Sequence, residues 1–222
     1  VSSRTALLLH ADPAFGAGAA SFSSGLETLA ADGLLTGPEQ LVDVMLAAVR
    51  LRWHTFDRVF LARSHALGSG EVEARLDLDR EVEVSMVGEA ARVASRRSGT
   101  ALLGTWQRLH HEAAATYRRR VLAEEGTGHL GVAQGLVWAD LPLADAEALS
   151  CWAVLTACAS SAVRLAVVGH RGAQEALVEV ERRVAPLLAA PVDAAAVPHA
   201  FTPVHDVAIE RHARSDVKLF AS

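Results

Sequence analysis

The chain has 222 residues, 51% apolar and only 5% aromatic, with a net charge of -5 and an isoelectric point near 6.1. That length suits one large domain, and so apolar a composition excludes a disordered chain. The charge leaves no electrostatic footprint for nucleic acid, and the dominance of Ala, Leu and Val over aromatics favours closely packed helices over a sandwich or barrel.

From the N-terminus, Leu7 to Glu27 reads as a packed loop. Gly16, Ala17, Gly18 and Ala19 let backbone run close to backbone, and the serines satisfy turns. The apolar run over Val1 to Leu9 is too short for a signal peptide, and the missing initiator methionine suggests a processed or trimmed start. Gly25-Leu26-Glu27 opens a short helix with an acid at its positive pole, and Gly33 stops it. Thr36-Gly37-Pro38-Glu39 reads as the next helix start, with Thr36 capping and Glu39 reaching back. Leu41, Met45, Val49, Trp53, Phe56 and Phe60 follow in steps of four or three, the mark of one buried stripe on a helix ending near Ala66.

Leu67 to Gly70 is a connection, and Val72 to Leu78 alternates apolar and polar residues like a strand. From Asp79 or Arg80 a helical pattern runs through Met86, Val87, Ala90, Val93 and Ala94. Gly99 and Gly104 interrupt it and signal close helix contact. A further helix is expected from about Thr100 to Glu124, with Leu102, Trp106, Leu109 and Ala113 inward. Gly126-Thr127-Gly128 breaks the chain, and His129 to Ala139 forms a short helix that ends before Pro142.

Ala144 or Asp145 opens the longest apolar run. Leu149 to Val168 is long enough to cross a bilayer, about twenty residues. It holds Ser150, Thr156, Ser160, Ser161 and Arg164 and lacks aromatic belts, so it reads as a buried central helix stopped by Gly169. From Ala173 a more polar helix places Ala176, Leu177, Val180, Val184 and Leu187 on one side. Pro186, Pro191, Pro198 and Pro203 break the chain into an extended stretch, and Asp206 to about Arg214 forms a last short helix. The tail from Ser215 to Ser222 has little to pack against and is expected to order on a partner. The expected fold is an all-α single domain, 1–222, of roughly eight to ten helices around the long central helix.

Chemistry-bearing motifs are sparse. Gly16-Ala17-Gly18 lacks the third glycine and the preceding strand of a dinucleotide loop. Asp77, Asp79 and Glu81 read as solvation of a helix start, and the ten histidines show no ligand spacing, leaving them surface or capping roles. Cys151 and Cys158 fall in one helix, roughly 10 Å apart at 1.5 Å per residue, too far to bridge. They read as buried thiols. Arg96-Arg97, Arg118-Arg119-Arg120 and Arg182-Arg183 are short basic runs that read as solvated helix faces. No nucleophile, acid-base set, cofactor loop or metal cluster emerges.

The order of residues says more. LLLHADPAFGAGAASFSSGLE, Leu7 to Glu27, resembles the opening of the UreF family of urease accessory proteins, roughly LLQLxDSxxPxGGFxxSxGLE. Ser160 to Leu165 with Val167 to His170 is similar to that family's SxAVRLxPLGQ stretch. Pro203 to His212 with Leu219-Phe220 is similar to its closing PLxDIAxMRH and RLF segments, and Ala94 to Leu103 is a weaker match. Gly16, Ala19, Ala20 and Asp216 depart from the pattern. The chain is therefore identified as a diverged UreF-like protein, and in that context Val72 to Leu78 is read as a loop or helix entry.

The resemblance implies a cytoplasmic, non-catalytic homodimer with no membrane or nucleic-acid contact and no cofactor of its own. It would bridge the UreD scaffold (also called UreH) and the GTPase UreG, which carries GTP and nickel, so that hydrolysis is coupled to nickel delivery into apo-urease. Glu27 and Arg164 match positions facing UreG. Arg211, His212, Leu219 and Phe220, within a partner-binding segment 198–222, match positions facing the scaffold. The rival readings are an all-α small-molecule enzyme, which needs acids or histidines clustered in an apolar pocket, and a helical ligand-binding regulator.

Overall fold

The computed structural model describes residues 4–12 and 25–214, and among these it holds helices and no strand. In chain order they are α1 (Arg4–Ala11), α2 (Leu26–Ala31), α3 (Pro38–Ala48), a π-helical segment (Val49–Asp57), α4 (Arg58–Ala66), α5 (Val72–Ser85) and α6 (Glu89–Arg108). Then come α7 (Glu112–Leu122), α8 (Leu130–Val137), α9 (Leu143–Arg164), α10 (His170–Ala189) and α11 (Pro203–Ala213). Since α3, the π segment and α4 form one continuous rod, the described residues make ten helical bodies, as the apolar periodicity led us to expect.

The rod's stripe is buried throughout, from Leu41 to Phe60. It serves two apolar clusters in turn. Leu41, Met45, Val49 and Trp53 join α2, α9 and α10 in the first, while Phe56, Phe60 and Leu61 join α5, α6, α7 and α8 in the second. The wider turns of the π segment carry the stripe from one cluster to the other. Helix α9 makes the same passage, with Ala146 and Leu149 in the second cluster and Cys151 to Ala162 in the first. It is long and apolar enough to cross a membrane by length and composition, yet its apolar side is spent on these two cores.

Polar groups tie the elements where apolar contact alone would leave register open. Trp53 donates from Nε1 to Ser150 Oγ at 3.0 Å, and that hydroxyl donates to Gln134 Oε1 at 2.8 Å, joining rod, α9 and α8. Arg58, fully buried, donates to Glu147 Oε2 at 2.8 Å and to the carbonyls of Leu187 and Ala190 at the end of α10. Those carbonyls have no intrahelical donor, so Arg58 caps α10 from another helix. Past Pro191 the extended stretch lies along the rod. His199 and Phe201 donate their backbone N–H groups to Thr55 and Leu51 carbonyls of the π segment, at 3.0 and 2.9 Å. Arg63 holds the Ala194 and Ala196 carbonyls at 2.7 and 2.9 Å.

Several local expectations are corrected. Leu7 to Ala11 belongs to α1 and not to a loop, while 13–24, the rest of that stretch, lies outside the described residues. Helix α3 takes Gly37 and not Thr36 as N-cap, and Thr36 bonds Gln40 instead, although Pro38 does occupy the first turn. Of the two readings left for Val72 to Leu78, helix entry holds and loop does not: α5 begins at Val72, with Val72, Leu76, Asp79 and Val82 at helical spacing and the buried Arg75 donating to Ser64 Oγ at 3.1 Å and the Ser64 carbonyl at 3.0 Å. The pattern breaks at Met86 to Gly88, where Glu210 of α11 accepts from the Ala90 N–H at 2.9 Å and caps α6 from outside.

Gly99 and Gly104 do mark close contacts, but α6 runs through both. A Cβ on Gly99 would lie 2.0 Å from the Gly128 carbonyl oxygen, and one on Gly135 would lie 2.5 Å from that of Leu61, so α8 packs on α4 backbone to backbone. The helix expected over Thr100 to Glu124 is split at His110, whose φ is 63°, and His111 caps α7 by accepting the Ala114 N–H at its Nδ1. Leu109, expected inward, is 52% exposed at that break. Pro186 does not end α10 but lies within its last turn. Asp79 is fully buried and not solvating: its carboxylate accepts the backbone N–H groups of Thr127, Gly128 and His129 at 2.7, 2.5 and 2.8 Å.

Candidate functional site

Helix α11 returns across the molecule to pack on α2 and α6. On α2, Glu27 in the first turn faces His212, with Nδ1 and Oε2 3.6 Å apart. Just past α2, Asp32 receives both terminal nitrogens of Arg211, one at 3.0 Å. The guanidinium holds the Asp32 carboxyl below the usual carboxylate range, and Asp32 in turn raises Arg211. These paired contacts fix α11 against α2, and through Glu210 against α6.

Three of the residues singled out in the sequence therefore meet at one joint: Glu27, Arg211 and His212. His212 is buried, so it shapes the joint from inside, whereas Arg211 faces solvent. Arg164, in the last turn of α9, is exposed. Leu219 and Phe220 lie outside the described residues. Sequence reasoning missed Asp32 and Glu210, since neither carries a local signal. Their partners are distant in the chain, 179 residues from Asp32 to Arg211 and 120 from Glu210 to Ala90.

Beside the joint, a concavity of about 300 Å³ opens between α6, α9 and α11, walled by small side chains such as Ala94, Ser98, Ala153 and Ala157. His205 and His212 are in its wall, and each has a buried Nε2 without a hydrogen-bond partner among the described residues. Burial lowers His205, reinforced by Arg52 and opposed by Asp206. His205 and His212 stand two turns apart on α11, roughly 10 Å at 1.5 Å per residue, too far to share one metal ion. Among the described residues no group of three His, Cys, Asp or Glu side chains is placed to hold a metal. Cys151 and Cys158 are free, and burial pushes both thiols up to about 12, which keeps them protonated and poorly nucleophilic.

Outward from the joint the surface is apolar. Phe201, Val204 and Val207 are 72%, 58% and 57% exposed.

A family model described as UreF matches residues 35–181. The urease accessory protein UreF of Trichodesmium erythraeum (strain IMS101) is 28% identical over 232 aligned residues, covering 100% of this chain and 98% of that protein. The urease accessory protein UreF 1 of Brucella melitensis biotype 1 is 27% identical, covering 96% of this chain and 90% of that one.

Proposed function

Because the chain belongs to the UreF family, we propose that it is an adaptor of urease maturation, which holds the nickel-carrying GTPase UreG against the UreD (UreH) scaffold. As a cytoplasmic homodimer it couples GTP hydrolysis to nickel delivery into apo-urease, while nickel and GTP stay with the partner GTPase. The observation that carries this reading is the α2–α11 joint. Glu27 and Asp32, on α2 and at its end, meet His212 and Arg211 of the sequence-distant α11, and on that same helix Val204 and Val207 are exposed. Rigid placement of an exposed face reduces the ordering cost of association, which is what an adaptor needs.

Glu27 and Arg164 are assigned to the UreG side, and Arg211 with Leu219 and Phe220 to the scaffold side, with His212 supporting Arg211 from beneath. Arg164→Glu is the cleaner test of the first assignment, because Arg164 is exposed and Glu27 packs on buried His212. Co-purification with tagged UreD and UreG should show that Arg164→Glu loses UreG and retains UreD. Equal loss of both, or capture of neither by the unaltered chain, would overturn the reading.

A further inference from the structure

Basic runs that are separate in sequence converge on one surface. The outer stripe of α6 carries Arg97, Thr100, Thr105 and Arg108, and Arg118 reaches over from α7. Together with Arg96 they line an open trough of about 530 Å³, and no carboxylate is among its lining residues. Gly104 makes the convergence possible. Arg118 Nε lies 3.3 Å from where a Cβ on Gly104 would stand, so the guanidinium rests against the backbone of α6.

The arginines are not equally committed. Arg96 is taken up by Glu83 and Glu89, at 2.8 and 2.9 Å. Among the described residues Arg108 donates to the Thr105 hydroxyl at 3.3 Å, and Arg118 to the Gln107 side-chain oxygen at 3.0 Å, with its buried Nε unsatisfied. Two guanidinium groups with neutral partners, on a chain of net charge -5, form a local field opposite to that of the whole molecule.

We propose that this trough is a docking site for an acidic, extended segment of a protein partner. Its dimensions select the occupant. From Arg97 to Arg108 the stripe runs roughly 16 Å at 1.5 Å per residue. A single phosphate would meet one end of that run, while about five residues of extended chain at 3.3 Å each would meet all of it. The trough is open along its length, and its lining of Arg, Thr, Ala and Gly has no aromatic ring on which a nucleobase could stack. Side-chain carboxylates arriving from an extended segment are matched by guanidinium forks, which bind such groups in pairs. The inference does not depend on the urease reading, since it follows from charge and shape alone.

The test is fluorescence anisotropy of a dye-labelled oligoglutamate peptide with the full chain at low and moderate salt. The peptide should bind, more weakly as salt rises, and the variant Arg108→Gln/Arg118→Gln should weaken binding by roughly tenfold. Arg108→Gln alone, at an exposed position, should give a smaller loss with an unchanged melting temperature, which separates charge from folding. Arg182→Gln/Arg183→Gln on α10 should leave binding intact. The proposal is overturned if the peptide fails to bind, if the α6–α7 variants bind as well as the unaltered chain, or if the α10 variant loses as much. Tighter binding of tripolyphosphate or of an oligouridylate than of the peptide would overturn it equally.

Discussion

Arg58 and Arg211 each reach a carboxylate on a distant helix, in opposite surroundings. Arg58 is fully enclosed by protein, and its two terminal nitrogens donate to Glu147 and to the carbonyls of Leu187 and Ala190 at the end of α10. Arg211 is 57% exposed where it meets Asp32. In the interior the desolvation of both charges is balanced only while both are present, so loss of one strands the other. At the surface water and salt screen the pair, so its contribution is mainly positional. The same chemistry thus secures the core in one region and sets the angle of a presented helix in the other.

The largest effect expected from this difference is at Arg58. Arg58→Met should lower the unfolding free energy by about 3–5 kcal/mol, because Glu147 and the end of α10 lose their buried partner. Adding Glu147→Gln should recover part of that loss, as read by denaturant titration. A loss as small as that of a surface variant would erase the distinction between the two regions.

An intermediate effect is expected in the pH dependence of the α11 region. Burial holds His205 below its ordinary value of 6.5, so the folded chain binds fewer protons there than the unfolded chain does. Stability from this group is complete above 6.5 and declines as pH falls from there through the lowered folded value. The melting temperature should drop across that window, and His205→Gln should flatten the drop. His10 and His129 are also lowered chiefly by burial, so a residual decline remains. An unchanged profile in the variant would show that His205 is not among the groups responsible.

The smallest effect on stability belongs to Arg211→Ala. The melting temperature should stay close to that of the unaltered chain while capture of UreD weakens, since the variant frees α11 from Asp32 without opening the core. A large fall in melting temperature would place this pair with Arg58, and the surface tie would have to be counted as core.

Much of the architecture can be read before any coordinates. The Leu41 to Phe60 stripe, the apolar run of α9, the face of α10 and the extended stretch after Pro191 all depend on spacing along one segment, and each forms as that spacing requires. The site was legible in part. Glu27, Arg211 and His212 stand out by resemblance, but nothing in the order of residues says that they touch or that His212 is buried.

What the sequence by itself determined is the helical class and the buried side of its long helices, because apolar recurrence at the helical period acts within a single segment. Only the tertiary structure decided the π segment that passes the rod between two cores, the conversion of Asp79 from a surface acid to a buried cap, the α2–α11 joint and the placing of Arg108 and Arg118 along one trough. In each of these the decisive partner lies on another element, and contact between distant segments is settled by packing, which leaves no periodic trace in the chain.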